Sequence, residues 1–304
     1  MANPIKMITA LGTPLTADED LHLPGLEAHI QDQLAHGING FLVAGTMGLM
    51  QLLKESTYRQ LVEQSVLFNA GKAELLVGVG DTSFVRTRDR IRMVEDFEID
   101  GVVVVAPYFI KFSQEDLIDY YLSLADLSSR PLYLYDLPQT TGTKLEVGTV
   151  MKLAEHPNIH GIKCSDQFVT IRPVIDAIGD VFRVIVAQPH LMDVLLRSGV
   201  HEHLDGIYGL VPEWIEKMVT ATEAENWEEL ALVQRDLSEL LRILISFSAP
   251  LFASVTMLLN MRGIPGNFAP QPIRSLTAEE RVQLLEFPLI QKIFVDKSVA
   301  SVEA

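Results

Sequence analysis

From its start to about residue 223, this chain alternates short apolar runs with longer amphipathic segments, and the alternation repeats eight times. Such a rhythm marks repeated βα units and a parallel sheet. The apolar runs fall at 6–10, 40–44, 75–79, 101–105, 132–135, 159–163, 183–187 and 206–208. Most are rich in Val, Ile or Leu, as strands covered on both faces are. Between them the spacing is helical, as in Leu26, Ile30 and Leu34 before Gly37, or Leu61, Val62 and Val66 before Gly71. Both glycines are expected as helix C-caps. Eight units over residues 1–223 predict a closed (β/α)8 TIM barrel. A doubly wound sheet would show fewer units and a glycine fingerprint after its first strand.

Beyond Glu223 the pattern becomes purely helical, at 227–247 and 249–261, and Ser275 to Glu280 supply a capped start for a third helix reaching Leu285. Residues 224–304 are therefore expected as a C-terminal domain, a three-helix appendage on the barrel. The stretch 240–261 is the most membrane-like, but Arg242, Ser246, Ser248 and Pro250 interrupt it, so a buried helix pair is expected. The N-terminal residues have no apolar core behind a basic head, and neither a signal nor a transit peptide is read there. A net charge of −16 leaves no basic stripe to neutralise phosphates, which argues against nucleic acid as a partner. Cys164 is the only cysteine, which rules out an intrachain disulfide and a cysteine-rich zinc site and fits a reducing cytoplasm. Apolar faces on the C-terminal helices exceed what one barrel needs and point to an oligomer.

In such a barrel the active site lies at the C-terminal ends of the strands. Polar residues there are Thr46, Asp81, Tyr108, Lys111, Tyr135, Asp136, Lys163 and His190. Lys163 ends the run 159–163 and is the most informative. Facing inward, it would be buried; burial disfavours an ammonium and leaves the neutral amine that attack on a ketone requires. Facing the rim, it would pair with Asp136 or Asp166 in solvent. Strand alternation places Gly161 and Lys163 on one face, Ile162 and Cys164 on the other, so Cys164 is expected in the helical layer as a structural thiol. Tyr135 ends the preceding strand, where a phenol either shuttles protons or simply packs as an amphipathic core residue. Gly45-Thr46-Met47-Gly48 forms either a turn whose backbone N–H groups hold a carboxylate or an ordinary βα turn.

Taken together, Gly45-Thr46-Met47-Gly48, Pro107-Tyr108, Tyr135 to Gly142 and Gly161-Ile162-Lys163 resemble the dihydrodipicolinate synthase and N-acetylneuraminate lyase superfamily. The likeness continues into Ala249-Pro250-Leu251 and Leu258-Leu259-Asn260 and so covers nearly the whole chain. It implies a class I aldolase or lyase with Lys163 as the imine-forming lysine and Tyr135 as the proton relay. Thr46, with the Met47 backbone and Gly45, would cradle the substrate carboxylate. It also implies a homotetramer, a small-molecule 2-oxo acid substrate, no metal and no other cofactor.

The departures narrow the substrate. Where the synthase usually has a second threonine and a glutamate, this chain has Met47 and Leu49; Phe109 matches the tyrosine lent by a neighbouring subunit, and Thr140 the arginine that grips the semialdehyde. Dihydrodipicolinate synthesis is therefore not expected. The sialic acid lyase's acidic pair falls on Gln188-Pro189-His190, which holds no carboxylate. What remains resembles 2-keto-3-deoxy sugar acid aldolases and dehydratases, with pyruvate as the product of the aldolases. Ser165 would meet a substrate hydroxyl or else cap the next helix. Two rivals come from other classes. A metal-dependent barrel enzyme would draw on Asp81, Asp136, Asp166 and His190. A non-catalytic 2-oxo acid binding protein would keep Lys163 without turnover.

Overall fold

The computed structural model describes residues 4–295. The eight expected βα units are present, in chain order: β1 (Lys6–Ala10), α1 (Leu23–Ala35), β2 (Gly40–Val43), α2 (Glu55–Asn69), β3 (Glu74–Gly78), α3 (Phe84–Val94), β4 (Gly101–Val105) and α4 (Gln114–Leu127). The second half continues with β5 (Leu132–Asp136), α5 (Pro138–Thr141), α6 (Val147–Leu153), β6 (Ile159–Cys164), α7 (Phe168–Ile178), β7 (Arg183–Val186), α8 (Met192–Arg197), β8 (Glu202–Asp205) and α9 (Pro212–Glu223). Each strand pairs in parallel with its sequence neighbour, and β8 returns to β1, which closes the barrel. The C-caps of α1 and α2 are His36 and Ala70, and the glycines expected there, Gly37 and Gly71, stand one residue further on with left-handed φ.

Seven strands lie where their apolar runs predicted them, within a residue at either end. The eighth does not. The strand is Glu202–Asp205, and the predicted run 206–208 falls instead on a 3-10 turn at Ile207–Gly209. The cause is the chemistry of the strand's two ends. Glu202 serves an ion network and Asp205 a cavity, so Leu204 is the strand's one aliphatic contribution to the barrel interior.

Strand alternation divides the core into two shells. Ile8, Leu42, Leu76, Val103, Val105, Tyr133, Tyr135, Ile185 and Leu204 pack inside the barrel, whereas Phe41, Val77, Val104, Leu134, Ile162 and Cys164 pack outward against the helices. At the N-terminal end the interior is closed by charge. Arg183 grips Glu74 through both terminal nitrogens, at 2.6 and 2.8 Å, and also meets Glu202 and the Tyr133 hydroxyl, while Lys6 reaches Glu74 at 3.2 Å. Burial works against the Glu74 charge, but Arg183 and Lys6 outweigh it and hold that carboxyl below its usual range.

The C-terminal helices α10 (Trp227–Ser246), α11 (Leu251–Met261) and α12 (Ala278–Leu285) are the three expected, and a short α13 (Pro288–Ile290) with a π turn at Gln291–Val295 follows them. Thr277 and Glu280 form a capping box at the start of α12. Pro250 breaks the apolar stretch between α10 and α11, and among the described residues no helix is long and apolar enough to cross a membrane. Helix α10 packs along α9, reaches α8, and with α11 lies over the C-terminal mouth of the barrel.

Candidate active site

Position on a strand decides which way each rim residue faces. On β6, Gly161 and Lys163 point into the barrel, and the register sets them beside Tyr133 and Tyr135 of β5. A β-carbon on Gly161 would stand 2.6 Å from the Arg183 carbonyl oxygen and 3.0 Å from the Tyr133 ring, so the small residue makes room for both the neighbouring strand and the tyrosine. The Lys163 side chain is 6% exposed. Its amine lies 3.7 Å from the centre of the Tyr135 ring and donates a hydrogen bond to the Ser165 hydroxyl at 3.1 Å. The Tyr135 hydroxyl in turn lies 3.2 Å from the Thr46 hydroxyl. Strands β2, β5 and β6 thus bring Thr46, Tyr135, Lys163 and Ser165 into one connected cluster.

The loop after β2 is built by close backbone contact. Ala44 takes a left-handed φ of 53°, and a β-carbon on Gly78 would stand 2.1 Å from the Ala44 carbonyl oxygen, so only glycine lets β3 pass that close. The Thr13 hydroxyl fixes the far side of the turn by donating to the Gly48 carbonyl at 2.8 Å. Among the described residues no acceptor meets the backbone N–H of Thr46 or Met47. A carboxylate is the ligand such a turn suits.

These groups line a cavity of about 310 Å³, which Met47, Leu137, Asp205, Gly206 and Ile207 also line and which α10 and α11 roof. Asp205 carries no signal in the apolar rhythm, which points to 206–208 and not to the strand that Asp205 ends. By surface it is only half-buried, but its open side is this cavity. Burial raises its carboxyl above the usual range, against the opposing pull of the Ile207 N–H at 3.0 Å and of Lys163. The site therefore holds a second acid–base group near the amine.

The other rim candidates lie outside this cluster. Asp136 alternates away from Tyr135 and is buried among the outer groups, where it accepts the Leu145 N–H at 3.0 Å and pairs with Lys144. Lys144 also reaches Asp166 at 3.2 Å. The cation expected to pair with these two carboxylates, were Lys163 at the rim, is thus Lys144, which sequence reasoning missed. Ser165 does not cap α7, whose N-cap position falls on Gln167 without a side-chain cap; the Ser165 hydroxyl is turned to Lys163. Although burial opposes it, Arg86, the Thr82 N–H and Arg90 hold the Asp81 carboxyl below the usual range, well bound on its own loop. His190 and Lys111 are exposed. Among the described residues no three His, Cys, Asp or Glu side chains are grouped to hold a metal ion. Cys164 is buried in the outer shell, where burial pushes its thiol up to about 12.

With its polar side chains gathered at the strand ends of a closed barrel, the molecule falls among the class I aldolases and lyases. More narrowly, the chain belongs to the Dihydrodipicolinate synthetase family, whose model matches residues 3–287. It is 30% identical to a 4-hydroxy-tetrahydrodipicolinate synthase of Ligilactobacillus salivarius over 92% of this chain and 96% of that one. A synthase of the same name from Limosilactobacillus fermentum is 32% identical over 91% of this chain and 89% of its own length. Among solved structures, YagE of E. coli K12, determined in complex with pyruvate, superposes with a TM-score of 0.87 at 23% identity, covering 95% of this chain and 99% of that one. The dihydrodipicolinate synthase of Bacteroides thetaiotaomicron gives 0.88 at 24% identity, covering 96% and 99%.

Proposed function

We propose that the Lys163 amine attacks the ketone of a 2-oxo acid, expels its oxygen as water, and forms an imine at C2. One observation carries this reading: the amine is buried at the floor of the cavity with a hydroxyl for its partner, and among the described residues no carboxylate forms an ion pair with it. Tyr135 relays the protons, sharing its hydroxyl with Thr46, and the Thr46 and Met47 N–H groups, on the turn that Gly45 opens, take the substrate carboxylate. The protonated imine is an electron sink. When the C3–C4 bond breaks, its electron pair becomes the enamine and the C4 hydroxyl loses its proton to become an aldehyde; C3 then takes up a proton, and water hydrolyses the resulting imine to release pyruvate. If the protein is a dehydratase instead, the same imine loses a proton from C3, and the enamine so formed expels the C4 hydroxyl, which takes up a proton and leaves as water.

The sequence points to a 2-keto-3-deoxy acid, with the sugar acids as the group its resemblance suggests. Its head suits the cavity floor, where Ser165 and Asp205 stand ready for a hydroxyl at C4. The curated relatives' own reaction is a second reading, but Met47 and Leu49 replace the hydroxyl and carboxylate that the synthase resemblance calls for, and Thr140 replaces its arginine. A homotetramer in the cytoplasm belongs to the same proposal. Phe109 is 95% exposed on a loop with φ of 87°, and Ile110 beside it is also exposed, an apolar tip suited to a second copy of the chain.

Borohydride reduction in the presence of pyruvate tests the imine. The expected result is a mass increase on the peptide carrying Lys163, absent in Lys163→Ala; an unmodified native protein would refute the proposal.

A further inference from the structure

The polar and apolar parts of the cavity are segregated. Every polar side chain on its lining, namely Thr46, Tyr135, Lys163, Ser165 and Asp205, belongs to a strand end or the loop just after it. The wall supplied by α10 and α11 is Leu241, Leu244, Ile245, Leu251, Phe252 and Val255, without one polar side chain. Leu241, Leu244 and Val255 are buried, whereas Ile245 and Leu251 are exposed at the rim. Within these helices most backbone N–H and C=O groups are committed to intrahelical bonds, so the wall offers polar partners only at the last turn of α10 and the first turn of α11. A third apolar contribution comes from the floor. A β-carbon on Gly206 would lie 2.7 Å from Cγ of Met47, so the Met47 thioether fills the space over that glycine, beside Asp205.

A substrate fixed by its carboxylate at Thr46 and its C2 at Lys163 has one polar neighbourhood, reaching about as far as C4. Beyond it, a polyhydroxylated tail would surrender its water to a hydrocarbon surface, at about tenfold or more in affinity for each hydroxyl left unpaired. An alkyl or aryl tail gains from the same burial. We infer that the substrate is a 4-hydroxy-2-oxo acid whose chain beyond C4 is hydrocarbon, so that cleavage yields pyruvate and an apolar aldehyde. The 3-deoxy-2-oxo head expected from the sequence is retained; the sugar tail is not. This inference rests on the imine reading of Lys163.

The test uses the native enzyme and four 4-hydroxy-2-oxo acids that share this head and carry phenyl, butyl, trihydroxypropyl or carboxymethyl tails. Pyruvate release is followed by coupling to lactate dehydrogenase. The phenyl and butyl acids are expected to exceed the trihydroxypropyl acid in kcat/KM by at least a hundredfold. Phe252→Gln, at a half-buried position, is expected to raise KM for the phenyl acid about tenfold while leaving the borohydride adduct with pyruvate intact, which also shows the variant folded. A trihydroxypropyl acid turned over as well as the phenyl acid overturns the inference. So does a carboxymethyl acid turned over best, which would assign the tail site to the start of α11. So does an enzyme that traps pyruvate on Lys163 yet cleaves neither apolar acid, and in these three cases the imine stands. Absence of any adduct removes both.

Discussion

Replacing Tyr135 by phenylalanine removes one oxygen and leaves the ring where it is, beneath the Lys163 amine at 3.7 Å and packed inside the barrel. The lost contact is a single neutral hydrogen bond to Thr46 at 3.2 Å, on the wall of a cavity, so the fold should lose no more than about 1 kcal/mol. If Tyr135 carries protons during imine formation, the chemical cost is far larger. A positioned acid–base group contributes roughly 10²- to 10⁴-fold, which is about 3–5 kcal/mol of barrier. The assay needs no knowledge of the natural substrate: pyruvate is mixed with enzyme, borohydride is added at timed intervals, and the modified Lys163 peptide is counted by mass. Tyr135→Phe should slow adduct formation at least a hundredfold with an unchanged melting temperature. Thr46→Val breaks the same hydrogen bond from its other end without removing the phenol, and should slow it only about tenfold. The double variant should behave like Tyr135→Phe alone, since Thr46 then has nothing left to orient. A Tyr135→Phe rate within threefold of native refutes the relay.

Two further predictions concern stability. Arg183→Leu leaves Glu74 with Lys6 alone and strands Glu202, two carboxylates no more than 30% exposed, and should cost about 3–5 kcal/mol by chemical denaturation. Adding Glu74→Gln should recover part of that loss, and adduct formation at the opposite end of the barrel should not change; a cost below 1 kcal/mol for the single variant would show the network to be ornamental. Burial lowers His29 and His203 to about 4 each. The unfolded chain therefore binds protons more tightly than the folded one, stability is fullest above the unfolded value near 6.5, and it falls as pH drops toward 4. The loss should be about 2 kcal/mol per histidine between neutral pH and pH 5. Denaturation midpoints at the two pH values should show His203→Leu with a visibly shallower decline, and an unchanged slope would count against the buried neutral ring.

Position alone leaves Lys163 either inward or at the rim, and it is the family resemblance that singles out Lys163 and Tyr135; strand period two groups only Gly161 with Lys163 and Ile162 with Cys164. The same rule assigned Cys164 to the outer shell. It had nothing to work on at Glu202-His203-Leu204-Asp205, where one outward position is a buried histidine and both ends are carboxylates, Glu202 paired with Arg183 and Asp205 holding the Ile207 N–H. Losing that strand meant losing Asp205. Lys144 escaped for a different reason: it lies eight positions beyond Asp136, across the short helix α5, and no period relates a loop cation to the carboxylate it meets.

The apolar wall lay further still from what a sequence states. Leu241 and Leu244 read as members of an amphipathic helix, which they are, but their helical spacing says only that they share a face. Whether that face covers another helix or the mouth of the barrel depends on where α10 comes to rest, and that is decided by α9 and α8. Reaction chemistry in this fold is written on strands, whose geometry is local. The substrate's tail is read by helices whose placement is not local, so the head of the substrate follows from motifs and the tail only from packing.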